Sequence, residues 1–301
     1  MKVKDGIIGL IIGDALGVPV EFSSKAERDR DPVTDMRAYG TYRQPKGTWS
    51  DDSSMTIATM TSITNKKKID YDDIMEEFLN WSIEGKHTNS ADGMFDIGNT
   101  TNNALIRYYN GAPALEAGGR GERDNGNGSL MRILPMAFIK GIDYDTIENV
   151  SSLTHGHIIS RIACVLYIEI AKSMLENDLE IKEHVERACD KVKKHYKGEE
   201  ALKNFERIFS NDLDDVRGRG FVVGSLECVI HCLLNTDNYK DAVLKAVNFG
   251  EDTDTTAAIC GGLAGIYYGY DSIPTDWINS INRIDEVLSL CEKYEAFCDE
   301  S

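Results

Sequence analysis

Apolar residues recur at helical spacing along most of this 301-residue chain. The most regular run follows Thr154-His155-Gly156-His157 and keeps a period near 3.6 residues for about five turns. Its apolar positions are Ile158, Ile159, Ile162, Ala163, Leu166, Tyr167, Ile170, Ala171, Met174 and Leu175. No stretch of about five residues or more has a convincing strand pattern, so the elements that the sequence indicates are helices.

Several other segments predict helices of the same kind. Residues 71–82, 181–192 and 281–297 carry apolar side chains on one helical face. The segment 221–234 predicts a largely apolar helix, so we interpret Cys228, His231 and Cys232 as core residues although their spacing resembles a ligand set. The charged segment 23–46 lacks a sustained period and predicts a loop.

The first predicted helix, residues 6–18, carries Gly9, Gly13 and Gly17 along one stripe. Glycine inside a helix costs about 1 kcal/mol relative to alanine, so the stripe predicts close packing against another backbone. Asp14 lies among apolar residues and needs a partner, which is either a nearby backbone group or a functional site. Glu21 follows the end of this helix and is either a buried acid with a raised pKa or a surface carboxylate.

Composition and charge exclude several classes of protein. With 42% apolar residues, the chain can bury a large core, and we expect one domain over residues 1–301. A net charge of −17 argues against nucleic acid or an anionic membrane as a partner. No apolar run reaches the roughly 18 residues of a membrane span, and the N-terminus does not resemble a signal sequence. We therefore expect a cytoplasmic monomer, and the seven scattered cysteines predict reduced core thiols.

The strongest chemical signal is an acidic helix start at residues 47–62, where Ser50, Asp51 and Asp52 precede an apolar helix. One oxygen would suffice to cap the helix, and two adjacent carboxylates repel each other unless a cation lies between them. An ordinary solvated helix start is the alternative interpretation.

The same design recurs about 200 residues later, where Asp252, Asp254 and Thr255 precede a helix rich in small residues. Neither stretch fits the twelve-residue calcium loop, because no acidic residue closes it and a helix follows at once. If the two stretches meet, they supply four carboxylates and at least two hydroxyls. Such hard oxygen ligands suit magnesium, manganese or calcium, and their number predicts a site for two cations.

Three further places carry candidate substrate-binding groups. Asp96 and Asn99 are three residues apart and could face the same way on a helix, or they could cap the helix that follows. The glycine-rich stretch 117–132 leads into a helix predicted to start near Ser129, and backbone N–H groups in such loops bind phosphates. A flexible loop is the alternative there. His155, at the start of the regular helix, is either a polar contact to the substrate or metal loop or a capping residue.

Taken together, these motifs resemble the ADP-ribosylglycohydrolase family, over nearly the whole chain and in family order. The matching motifs are Gly13-Asp14-Ala15-Leu16-Gly17 with Glu21-Phe22, Ser50-Asp51-Asp52, Asp96-Ile97-Gly98-Asn99, Gly126-Asn127-Gly128-Ser129-Leu130-Met131-Arg132, Thr154-His155, and the segment from Gly250 to Ala257. The family usually has threonine where Ser50 stands, and both residues carry the hydroxyl that the site needs.

The resemblance implies an all-α protein, a compact orthogonal multi-helix bundle, with two magnesium or manganese ions. The implied metal ligands are Ser50, Asp51, Asp52, Asp252, Asp254 and Thr255. The implied reaction removes ADP-ribose from a modified side chain, with arginine favoured and serine or a small ADP-ribosyl compound also open. We take Asp96 as the first candidate for the carboxylate that transfers a proton, and Glu21 as the second.

For substrate contacts, we expect the loop from Gly126 through Asn127 and Gly128 to Ser129 to hold the diphosphate, with Asn99 and His155 as further polar contacts. Two other functions stay open at this point: a non-catalytic ADP-ribose-binding protein, and a metal-dependent nucleotide phosphoesterase that releases phosphate.

Overall fold

The computed structural model describes residues 2–300, which form fifteen α-helices. In chain order the helices are α1 (Val3–Gly17), α2 (Lys25–Arg30), α3 (Asp51–Lys66), α4 (Tyr71–Glu84), α5 (Asn99–Tyr109), α6 (Ala114–Ala117), α7 (Tyr144–Ser152), α8 (Ile158–Glu176), α9 (Ile181–His195), α10 (Glu206–Phe209), α11 (Val222–Leu234), α12 (Tyr239–Val247), α13 (Thr253–Tyr268), α14 (Thr275–Ser280) and α15 (Ile284–Glu300). Within residues 2–300, β-structure is limited to three isolated bridges. The prediction of an all-α protein is confirmed.

Helices α1 and α13 are buried along almost their entire length and pack with their backbones in contact. A Cβ added at Gly9 would lie 2.3 Å from the Gly261 carbonyl oxygen, and one added at Gly13 would lie 2.0 Å from that of Ala257. Both distances are too short for a side chain, so glycine is required for this approach. The close packing predicted from the glycine stripe is therefore present, and it brings the two ends of the chain together.

The core is one cluster of buried residues that extends from Val3 on α1 to Cys298 on α15. Helix α8 buries most of its predicted apolar face, and its Tyr167 hydroxyl donates to the Ile259 carbonyl oxygen on α13 at 3.0 Å. His157 caps α8 by accepting the Ile159 N–H at 3.3 Å. Division of the chain into a single domain stays a prediction.

Two local predictions are wrong. The segment predicted as a loop contains the short helix α2, which a capping box between Ser24 and Glu27 stabilises. The helix predicted from Ser129 is instead a pair of 3-10 segments, Leu130–Arg132 and Leu134–Phe138, because Pro135 lacks the N–H that an α-helix would need.

The prediction of buried cysteines agrees with the structure. All seven side chains are buried, and no disulfide joins cysteines within residues 2–300.

In the same described part of the chain, no helix combines the length and apolar character that crossing a membrane requires.

Candidate active site

Asp14 on α1 fixes the start of α3. Its Oδ1 accepts the Ser50 N–H at 2.9 Å, and its Oδ2 accepts the Ser53 N–H at 3.0 Å and the Ser53 hydroxyl at 2.5 Å. Burial raises the pKa of Asp14 to about 6, although the hydrogen bonds from Ser53 and Ser50 favour its charged form. Asp14 thus binds nearby backbone groups and also positions the acidic start of α3.

The two acidic stretches meet in space, as the sequence predicts. The Thr255 hydroxyl, at the start of α13, donates to Asp52 Oδ2 at 3.2 Å, and the Ser50 hydroxyl donates to the same oxygen at 3.0 Å. Carboxylate oxygens of Asp14, Asp52 and Asp254 lie within 4.8 Å of one another. Asp52 is fully buried, so the interpretation of this stretch as a solvated helix start is wrong.

Asp254 also belongs to a second cluster of carboxylates, which we call the second carboxylate group. Oxygens of Glu21, Asp96 and Asp254 also lie within 4.8 Å of one another. Burial, followed by the Asp96 charge, raises the pKa of Glu21 to about 9. The Tyr42 hydroxyl interacts with Glu21 and Asp96, and burial and the Asp96 charge raise the pKa of Tyr42. Glu21 is therefore a buried acid rather than a surface carboxylate.

The conformation of Asp96 differs from the sequence expectation. Its φ of 54° places it in the left-handed region, three residues before α5 begins at Asn99. Asp96 and Asn99 therefore do not share a helical turn, and Asn99 is exposed at the first position of α5. The irregular backbone turns Asp96 towards Glu21, and a contact between Asn99 and a substrate stays a prediction.

The donor set fits divalent cations. Burial raises the pKa values of Asp51, Asp52 and Asp254, and the neighbouring charges that raise them further are all carboxylates. Asp52 Oδ1, Asp254 Oδ2 and Glu21 Oε2 are buried and have no hydrogen-bond partner within residues 2–300. Buried anionic oxygens without partners are strongly unfavourable unless a cation or proton neutralises them. The site therefore has the oxygens that a hard divalent ion binds.

Asp252 is held from the glycine-rich loop. The Asn127 side-chain amide donates to Asp252 Oδ2 at 2.7 Å and to the Ser225 hydroxyl at 2.9 Å. The Asn127 backbone N–H donates to the Gly220 carbonyl oxygen at 3.0 Å, so this N–H is not free to bind a phosphate. Asn127 thus positions Asp252, a predicted metal ligand. That the loop around Asn127 binds a diphosphate stays a prediction.

His155 lies beneath the glycine-rich loop. Its Nδ1 lies 2.9 Å from the Thr154 hydroxyl, and burial, with the Arg132 charge, lowers its pKa to about 3. A Cβ at Gly128 would lie 2.8 Å from His155 Cε1, and one at Gly126 would lie 3.4 Å from Nε2. These glycines let the loop approach a neutral imidazole closely.

Ser129 faces the core below this loop. Its side chain is fully buried, accepts the Ser151 hydroxyl at 2.9 Å and lies 3.5 Å from Cys164 Sγ. These contacts give Ser129 a structural role, and a contact with the substrate stays a prediction.

Comparison with known proteins identifies the family. The family model for ADP-ribosylglycohydrolases matches residues 1–300. The chain belongs to the ADP-ribosylglycohydrolase family. It is 31% identical to an ADP-ribosylarginine hydrolase, Tri1, of Serratia proteamaculans (strain 568), over 97% of this chain and 78% of that protein. It is 30% identical to the ADP-ribosyl-[dinitrogen reductase] glycohydrolase of Rhodospirillum rubrum, over 96% of both chains.

A solved structure supports the same assignment. An ADP-ribosylglycohydrolase-related protein complex is similar with a TM-score of 0.83 and 25% identity, and the match covers 99% of this chain and 98% of that one. The predicted ADP-ribosylglycohydrolase fold and family are confirmed, and so is the prediction of a glycosidic-bond hydrolase.

Sequence reasoning missed one residue of the site and left another open. Tyr42, which lies between the two acids of the second carboxylate group, belongs to a segment without periodicity, so no pattern indicated it. The position of Asp14 on an apolar helix was a signal for the site, but the pattern did not reveal its partner. In this ADP-ribosylglycohydrolase, Asp14 lies in the cluster with Asp52 and Asp254, and the Tyr42 hydroxyl interacts with Glu21 and Asp96.

Proposed function

We propose that this chain hydrolyses the glycosidic bond between ADP-ribose and an arginine side chain of a modified protein, and that it uses two divalent cations, magnesium or manganese. The observation that carries the proposal is the meeting of two acidic helix starts around buried carboxylate oxygens without partners. The names of two relatives, an ADP-ribosylarginine hydrolase and an ADP-ribosyl-[dinitrogen reductase] glycohydrolase, support this substrate class.

In this proposal the cations are held by oxygens from both acidic stretches. The ligands are Ser50, Asp51, Asp52, Asp252, Asp254 and Thr255. When bound, two divalent cations polarise hydroxyl groups and water that contact them. The protein positions these ligands through Asp14, which holds the start of α3, and through Asn127, which donates to Asp252.

Proton transfer falls to the carboxylates beside the predicted ligands. Cleavage of the ribose C1 bond develops positive charge on the sugar, while a proton leaves the attacking water and another stabilises the leaving group. Asp96 lies at the less buried edge of the cluster and accepts the proton from water. Burial raises the pKa of Glu21 and favours its protonated form, from which a carboxyl oxygen can donate a proton to the leaving group.

The test is release of ADP-ribose from defined peptides. Purified protein is incubated with ADP-ribosyl-arginine and ADP-ribosyl-serine peptides, with magnesium or manganese and after chelation, and the products are separated by chromatography. We expect metal-dependent release of free ADP-ribose from the arginine-linked peptide.

Two variants make this test specific. Asp254→Asn should lose the release, whereas Asp285→Asn, which changes an exposed carboxylate on α15, should keep it. Binding of ADP-ribose without turnover would instead indicate a non-catalytic binding protein. Release of phosphate would indicate a nucleotide phosphoesterase.

A further inference from the structure

Three aromatic rings lie beside the second carboxylate group. Phe22 directly follows Glu21, and Phe95 directly precedes Asp96. The Tyr42 ring lies between them, with its centroid 6.3 Å from that of Phe22 and 5.0 Å from that of Phe95. We call Phe22, Tyr42 and Phe95 the aromatic face. The Tyr42 hydroxyl interacts with the carboxyl groups of Glu21 and Asp96, so the aromatic face lies at the edge of the site.

Phe22 is held in an exposed position by its backbone. Its side chain is 68% exposed, and its φ of 63° lies in the left-handed region that phenylalanine rarely adopts. The Phe22 N–H donates to the Glu251 carbonyl oxygen at 2.7 Å, and the Glu251 N–H donates to the Ser23 carbonyl oxygen at 2.6 Å. Glu251 also has a positive φ, 61°. Two unfavourable conformations are thus maintained together, next to the acidic stretch that continues into Asp252.

The charges around the aromatic face favour a cation. Seven carboxyl groups lie in the two clusters and in the residues that shift their pKa values: Asp14, Glu21, Asp51, Asp52, Asp96, Asp252 and Asp254. Even with Glu21 protonated, two divalent cations would carry four positive charges against six remaining carboxylates. An aromatic ring attracts a cation through its π face, and a carboxylate accepts N–H groups in a plane. A planar guanidinium satisfies both kinds of contact, because it stacks on rings and presents several N–H donors.

We propose that the aromatic face binds the guanidinium of the modified arginine and thereby selects arginine-linked over hydroxyl-linked substrates. This inference rests on the proposed function, since it assigns the leaving-group side of the same site. Phe22 supplies the ring that solvent reaches, while Tyr42 and Phe95 support it beside Glu21 and Asp96. A neutral serine side chain gains nothing from this face, so its linkage is cleaved without help from Phe22.

The first test measures binding without turnover. Saturation-transfer NMR of the magnesium-loaded protein compares ethylguanidinium with the neutral, similarly shaped ethylurea. We expect the signal from ethylguanidinium alone, its loss in Phe22→Leu and its retention in Phe22→Tyr. Tyr109→Leu is the matched control, because Tyr109 is an exposed ring, 71% accessible, at the end of α5. Equal binding of ethylguanidinium to wild type and Phe22→Leu would overturn the inference, whatever the enzyme hydrolyses.

The second test measures specificity. For Phe22→Leu we expect kcat/KM on an ADP-ribosyl-arginine peptide to fall by about 3- to 30-fold, the range that one exposed or partly desolvated cation–π contact supports. On the serine-linked peptide the change should stay within about 2-fold, because no cation is present to lose this contact. Phe22→Tyr should retain the wild-type preference.

The outcomes separate the two proposals. No release of ADP-ribose from either peptide by wild type would refute the proposed function, and the NMR binding result would still decide the inference. An equal loss on both peptides with weaker binding of free ADP-ribose would show that Phe22 contacts the nucleotide, which overturns the inference and leaves the hydrolase intact. Release from the serine-linked peptide alone would also overturn it.

Discussion

The contact between α1 and α13 gives the sharpest prediction, through Gly13→Ala. The new Cβ would lie 2.0 Å from the Ala257 carbonyl oxygen, about 1 Å inside the 3.0 Å limit that Cβ atoms respect. The obstacle is helix backbone, which cannot adopt another rotamer, so the two helices must separate. Overpacking a rigid core costs about 3 kcal/mol or more, at the upper end of the usual range. The higher helix propensity of alanine returns only about 1 kcal/mol.

Gly13→Ala should therefore lower the free energy of unfolding by about 2 kcal/mol or more. For a chain of this size that corresponds to a fall in Tm of about 3 °C or more. Because α13 carries Asp254 in its first turn and α1 carries Asp14, the separation also moves Asp254 away from Asp14, which holds the start of α3. Activity should therefore fall by more than about 10-fold.

Gly6→Ala on the same helix is the matched control. The Cβ there would meet Ile266 Cγ1 at 3.0 Å and Phe138 Cζ at 3.1 Å, which are side-chain atoms that can move by a few tenths of an ångström. Its Tm and activity should stay close to wild type in urea or thermal unfolding and in the ADP-ribose release assay. If Gly13→Ala behaves like Gly6→Ala in both measurements, the reasoning from the helix contact is refuted.

Further predictions concern protons and hydrogen bonds. Asp14 and Glu21 have pKa values raised to about 6 and about 9, so at these two groups the chelated folded protein binds more protons than the unfolded chain between about pH 4 and 9. His155, with its pKa lowered to about 3, has the opposite effect below about pH 6.5. Stability in urea should therefore fall as pH rises from about 6.5 to 8, and a constant or rising stability in that range would contradict the shifts. Thr154→Val removes the hydroxyl beside His155 Nδ1, should cost about 1–3 kcal/mol of stability and should change the imidazole 15N shifts in NMR. The Thr64 hydroxyl has no partner within residues 2–300, so Thr64→Val should have neither effect. Equal effects of the two variants would contradict the interaction between Thr154 and His155.

The acidic half-sites could be predicted from sequence because their signals are local. Ser50, Asp51 and Asp52 follow one another at a helix start, and more oxygens are present than a cap requires. The glycine stripe similarly predicts a close backbone contact, because its residues are spaced along one face of a single helix. That Asp52 and Asp254 meet depended on the recurrence of the same design, and the α1–α13 contact supplies the physical reason.

The rest of the site lies in irregular backbone, where no period operates. Phe22 and Asp96 adopt left-handed conformations. Tyr42 lies between Tyr39 and Gln44, which form a bridge in a segment expected to be a loop. Their positions depend on long-range contacts, such as the hydrogen bond from Phe22 to Glu251. The partner of Asn127 was equally hidden, because its carboxylate lies 125 residues further along the chain.

Calorimetric titration with manganese tests the central claim most directly, since the claim is that both acidic stretches bind the same ions. Wild type, Asp52→Asn and Asp254→Asn are compared with the surface variant Asp285→Asn after chelation and dialysis. We predict two manganese ions bound by wild type and Asp285→Asn, and weakened binding in both site variants, although their substitutions lie about 200 residues apart. Unchanged stoichiometry and affinity in Asp254→Asn would contradict the shared metal centre.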